Sequence, residues 1–179
     1  MPDKININID ATGLHEKIKT LEKRVNNTAP VFAQIAEVMK SSIDKNFMVQ
    51  GRYSEPDSWM GGSSKWEPLS PWTMFNKIGG KKGFKKSGSL RAKAKRTIAS
   101  NQILQQSGQL ASSIQPFSSN GRAEISTNKI YAAIHNFGGM AGRGKKVKIP
   151  ARPFMVLQAE DIQDSIDLIE TYLTRGMHD

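Results

Sequence analysis

The chain has 179 residues, 37% of them hydrophobic, no cysteine and a formal net charge of +10. That length suits one domain burying roughly 70% of the surface its unfolded form exposes, and the missing cysteines exclude disulfides, thiolate nucleophiles and cysteine-based zinc sites, as fits a reducing cytosol. No run approaches the roughly 20 apolar residues of a membrane span, and the opening MPDKININID lacks the apolar core of a signal peptide, so the sequence predicts a soluble protein away from the membrane.

In chain order, Ile5, Ile7 and Ile9 alternate with polar neighbours and predict a strand over residues 4–10. Thr12 is placed to cap a helix whose Leu14, Ile18, Leu21 and Val25 form a narrow apolar stripe, short enough that tertiary packing must hold it. Thr28, with Pro30 in the first turn, starts a second helix whose face is Val31, Ile35, Val38, Met39, Ile43 and Phe47, ending before Gly51. From 51 to 97 periodicity fades into a Gly-, Ser-, Pro- and Lys-rich stretch with Trp59, Trp66 and Trp72 as anchors, which predicts an extended loop region within the single domain 1–179. Its basic segment, 77–96, has the composition of a chain mobile in the free protein. Ser107–Leu110 opens a short helix through Ile114, Ala123–Thr127 alternates like a strand, Val147–Ile149 offers another, and Phe154 to Tyr172 supports a closing helix with Leu157, Ile162, Ile166, Ile169 and Leu173 as core contacts. The order predicts an α+β fold: a small, mainly antiparallel sheet packed with two to three helices and a long basic loop insertion.

Charge is unevenly placed. Lys77, Lys81, Lys82, Lys85, Lys86, Arg91, Lys93, Lys95 and Arg96 occur without an intervening carboxylate, and a second cluster holds Arg143, Lys145, Lys146, Lys148 and Arg152. Glu160, Asp161, Asp164, Asp167 and Glu170 make the last helix acidic. The basic clusters are candidate faces toward an acidic protein or DNA, with Phe84 available to stack on a base. Trp66 and Trp72, flanking Pro68-Leu69-Ser70-Pro71, fit anchors to the core better than base-stacking platforms. Opposite charge at two separated sites of one chain suits head-to-tail association.

No catalytic pattern is present. His135 stands four residues after Tyr131 with no Ser, Asp or Glu at a nucleophile–base spacing, and His15 and His178 lie near the ends, so a structural or interface use outweighs a hydrolase reading. HExxH, GxxxxGK[ST] and strand-framed GxGxxG are all absent, and no metal or cofactor is expected. The passage from Thr127 to Met155 instead reads as a structural device. Tyr131, Ala132, Ala133, Ile134 and Phe137 offer a compact apolar surface, Gly138 and Gly139 can take positive φ in a sharp turn, and Pro150, Arg152, Pro153 and Phe154 close the far side of a basic loop.

Four blocks in this order carry a resemblance: Trp66-Glu67-Pro68-Leu69-Ser70-Pro71 with Thr73; Ile103 to Leu110 with Ser113-Ile114; Tyr131 to Gly139; and Ile149 to Met155. Over roughly residues 30–173 the chain resembles the phage virion morphogenesis family, the tail completion proteins of long-tailed, Mu-like phages. The resemblance implies a non-enzymatic virion component that acts late in assembly where tail meets head, with other tail and neck proteins and copies of itself, as a hexameric ring, for partners and packaged DNA in the channel. The alternatives are a free, non-sequence-specific DNA-binding protein and a capsid assembly factor.

Overall fold

The computed structural model describes residues 11–52 and 65–175, so the strand expected over 4–10, Trp59 and His178 lie outside the described residues. Helix α1 spans Thr12–Asn26 and α2 Ala29–Val49. The N-cap of α1 is Ala11 and no side chain caps it, so Thr12 sits one residue inside the helix rather than before it. At the entrance to α2 the cap comes from far along the chain. Asn120 Oδ1 accepts from the Thr28 N–H and hydroxyl, both at 2.6 Å, its Nδ2 donates to Asn26 O, and Thr28 Oγ1 accepts from Gly121 N.

Asn120 and Gly121 form the two-residue turn between β1 (Ile114–Ser119) and β2 (Arg122–Thr127), an antiparallel hairpin in which Ile114 faces Thr127 and Ser119 faces Arg122. Gly121 at φ 73° supplies the left-handed conformation that such tight turns need. The helix expected to run through Ile114 is a single turn, α5 (Gln109–Ser112), because the chain then enters β1. The second hairpin pairs β3 (Gly139–Ala141) with β4 (Val147–Ile149) and follows α6 (Ala132–Phe137). Together these make a mixed α+β fold with two small antiparallel sheets.

The closing helix, α7, runs Ala159–Thr174, five residues later than the apolar pattern indicated, since Phe154–Gln158 is irregular and bonded across to other segments. Ile166, expected in the core, is half exposed. Helix α2 lies at the centre, against both strands of the first hairpin and against α7. Its face contributes Val31, Ile35, Ile43 and Phe47 to the buried interior, and Ile43 and Phe47 join Trp66, Ile103, Leu110, Ile114, Ala132 and Phe154 in one cluster.

The region expected as an extended loop carries regular structure: α3 (Pro71–Lys77), a 3-10 turn at Gly80–Gly83 and α4 (Ala92–Ala99). Ser70 caps α3 by accepting from Thr73 N at 3.2 Å, and Pro71 fits the first helical position. Short local helices of this kind escape periodicity because they bury little: Ala94 is the only residue of α4 that is fully covered.

Candidate functional site: a braced junction and a basic extension

The four sequence blocks converge on one junction beside the second half of α2. Trp66 is buried, edge-on to Phe47 with ring centres 5.5 Å apart, and its indole N–H donates to Pro153 O at 3.0 Å. Phe154, fully buried, lies 5.2 Å from Phe47 on another side. Arg152 is buried as well. Its Nε donates to Glu67 O and a terminal nitrogen to Pro68 O, while its backbone N–H donates to His135 O at 2.8 Å. Arg152 therefore does not belong with the exposed cations of the second cluster: its guanidinium fixes the Trp66–Pro71 block to the irregular segment after β4.

Buried polar side chains complete the brace. Asn136 Oδ1 accepts from the N–H groups of Phe154 and Met155, both at 3.0 Å. Asn46 Nδ2 donates to the carbonyls of Phe154 and Val156, and its Oδ1 accepts from Gln158 Nε2 at 3.1 Å. Asp161 Oδ2 accepts from Gln158 N and from the Ser42 hydroxyl. An irregular segment in a core must find partners for its backbone groups, and here side chains supply them in place of a neighbouring strand. Ser42, Asn46, Asn136, Gln158 and Asp161 were not legible as candidates, although Ser42 and Asn46, four residues apart and each directly before an apolar core residue, Ile43 and Phe47, are a signal for polar groups held inside.

Gly138 makes the turn, and Gly139, at φ 150°, is already the first residue of β3. At φ 73° Gly138 joins α6 to β3, and a Cβ there would stand 2.8 Å from Ala151 N and 3.0 Å from Ile149 O. Phe137 and Tyr131, expected to bury, are 78% and 41% exposed, because the short α6 turns Ala132 and Asn136 inward instead. Tyr131 and His135 stand edge-to-face, 5.9 Å apart, on the wall of an open groove of about 580 Å³ floored by Leu69, Leu104 and Leu110. Leu104 holds φ 62°, a left-handed conformation uncommon outside glycine. Burial, then the positive charge of Arg152, lower the His135 pKa below 6.5, which keeps the ring neutral at pH 7. No carboxylate lines the groove, and among the described residues no group of His, Asp and Glu could hold a metal ion.

The basic extension is built differently. Lys81, Lys82, Lys85, Lys86, Arg91, Lys93, Lys95 and Arg96 are all exposed, and none forms an ion pair among the described residues. Lys77 is half-buried and donates to Asn101 Oδ1. The scaffold beneath is a row of rings: Trp72 stacks on Phe75 at 5.8 Å and Phe75 meets Phe84 at 6.3 Å. Phe84 is thus half-buried scaffold rather than a free stacking platform, and Trp72 stays 70% exposed rather than anchoring to the core as Trp66 does. Arg91 closes the loop by donating from Nε to Phe84 O at 3.0 Å. In the second hairpin Arg143, Lys146 and Lys148 are exposed, while nothing is described of the Lys145 side chain.

Residues 9–174 match the phage virion morphogenesis family. The chain belongs to that family. It is also 31% identical over 169 residues to the Mu-like prophage FluMu G protein 2 of Haemophilus influenzae, an alignment spanning 93% of this chain and 95% of that protein. No solved structure matches significantly. Membership of the virion morphogenesis family gives the chain a structural role in building a phage particle, and the family is not typically enzymatic. No described helix is long and apolar enough to cross a membrane.

Proposed function

We propose that this chain completes the phage tail and joins it to the head, as a ring subunit, about six copies around, at the head-proximal end of the tail. The observation that carries this reading is the family membership over 9–174, and the distribution of charge fits it. One part of the surface, from Lys81 to Arg96, is basic without internal neutralisation, whereas α7 exposes Glu160, Asp164, Asp167 and Glu170. Such a subunit offers opposite charges to two different neighbours, and head-to-tail contacts of that kind close into rings when the rotation allows. Basic residues facing the channel would meet packaged DNA through its phosphates, which position without reading sequence.

The test is a cryo-EM map of the virion neck together with a phage deleted for this protein. The expected result is a ring of this chain where tail meets head, and a deletion that leaves filled heads and separate tails. Particles lacking the chain, or carrying it as scattered single copies, overturn the reading. The exposed cations also favour a second reading, a free DNA-binding protein, which requires the isolated chain to bind duplex DNA with an affinity that falls steeply with salt.

A further inference from the structure

Helix α1 is a helix without a floor. Its 15 residues include none that is buried, and Leu14, Ile18, Leu21 and Val25 are 61%, 55%, 37% and 54% exposed. Their four-three-four spacing is that of a coiled-coil seam, which keeps one narrow stripe facing a partner helix along its length. A 15-residue helix is marginal in water unless an apolar face is covered. Near its end α1 is tied to α7: Arg24 donates to Leu173 O, and the Tyr172 hydroxyl donates to Asn27 O. Those bonds use the last turn of α1 and leave the stripe open.

The same chain carries a surface of matching character elsewhere. Between α2 and α7 lies a shallow groove of about 320 Å³ with Val38 and Leu168 as its apolar base and Asp164, Asp167 and Thr171 along it. Asp164 and Asp167 form no ion pair among the described residues, and α7 contains no basic residue at all. Helix α1 bears Lys17, Lys19, Lys23 and Arg24 against Glu16 and Glu22. We infer that the stripe of α1 docks into the α2–α7 groove of a second copy of this chain, its lysines against Asp164 and Asp167. The charge complementarity selects this occupant. Because the two surfaces differ, each copy donates one and receives the other, so the contact propagates, whereas α1 pairing with itself would stop at two copies. The inference rests on the ring reading above and names the contact that would build it.

The absence of native cysteine allows a direct test. A chain carrying both Ile18→Cys and Asp164→Cys is incorporated into particles and treated with a short bis-maleimide. The expected product is a ladder of linked copies on a denaturing gel, which neither single variant gives and which is lost when Leu21→Asp is added. Leu21→Asp alone leaves the melting of the isolated chain unchanged, since the stripe is exposed. Dimers from Ile18→Cys alone with no ladder from the double variant would establish α1 self-pairing and overturn the inference, as would cross-links only to another virion protein, or none. A ring in the neck map without the ladder removes this contact and leaves the ring; the ladder from concentrated protein without a ring keeps the contact and removes the ring.

Discussion

The junction around Phe154 and the basic extension from Pro71 to Ala99 solve opposite problems with the same kind of chain. At the junction an irregular segment is buried: long-range hydrogen bonds with Asn46, Asn136 and Trp66 hold its backbone on several sides, and its own Arg152 reaches out to the Glu67 carbonyl. In the extension, short helices held by local contacts and a row of three rings lift cations into solvent with no counter-charge. The first arrangement commits these polar groups to internal geometry. The second leaves them unanswered, which suits a surface completed by another molecule.

Substitutions should expose that difference, and the largest effect is expected at the centre of the junction. Phe154→Ala removes a ring with no exposure and should cost about 3–5 kcal/mol, read as a lowered denaturant midpoint. A loss under about 1 kcal/mol would mean that the junction is not core. Gly138→Val combines a φ of 73° with a Cβ 2.8 Å from a backbone nitrogen, and about 3 kcal/mol of destabilisation is expected in the same assay. Asn46→Ala strips partners from two carbonyls and from the Gln158 amide, for about 2–3 kcal/mol.

In the extension, replacing Lys81, Lys82, Lys85 and Lys86 by Glu should move stability by about 0.5 kcal/mol or less per site, yet abolish plaque formation if the surface meets DNA or an acidic neighbour. Normal plaques would remove the extension from the assembly argument. Limited proteolysis sharpens the same contrast: trypsin should cut first at the exposed Lys85–Lys86 turn in the free protein, and that turn should be protected in the particle.

The smallest effect concerns His135. Its folded pKa is below the unfolded 6.5, so the unfolded chain takes up a proton first as pH falls. The associated stability is therefore fully present above pH 6.5 and is lost as pH drops through 6.5 toward the folded value. His135→Gln should flatten that slope in melts taken between pH 8 and pH 5 while preserving infectivity. A null phage from a variant that still folds and enters particles would revive a chemical role for this ring.

The helix α2, the α+β class and the glycine turn at 138–139 were legible in the sequence, because each depends on local rules: apolar spacing at 3.6 residues, alternation at two, and a backbone angle that only glycine takes freely. The hairpin partner β1 could have been found from Asn120-Gly121, a two-residue turn that commits both flanking segments to pair. Other features depend on which distant groups meet. Arg152 and the surface lysines are alike by composition, and only the carbonyls of Glu67 and Pro68 make one of them internal. The stripes of α1 and α2 were read by the same periodicity, yet α2 is covered by a hairpin and a helix while α1 is bare. Periodicity fixes which side of a helix is apolar, but burial is decided by what the rest of the chain brings against it. For α1 the described chain brings the end of α7 against its last turn and leaves the apolar stripe exposed.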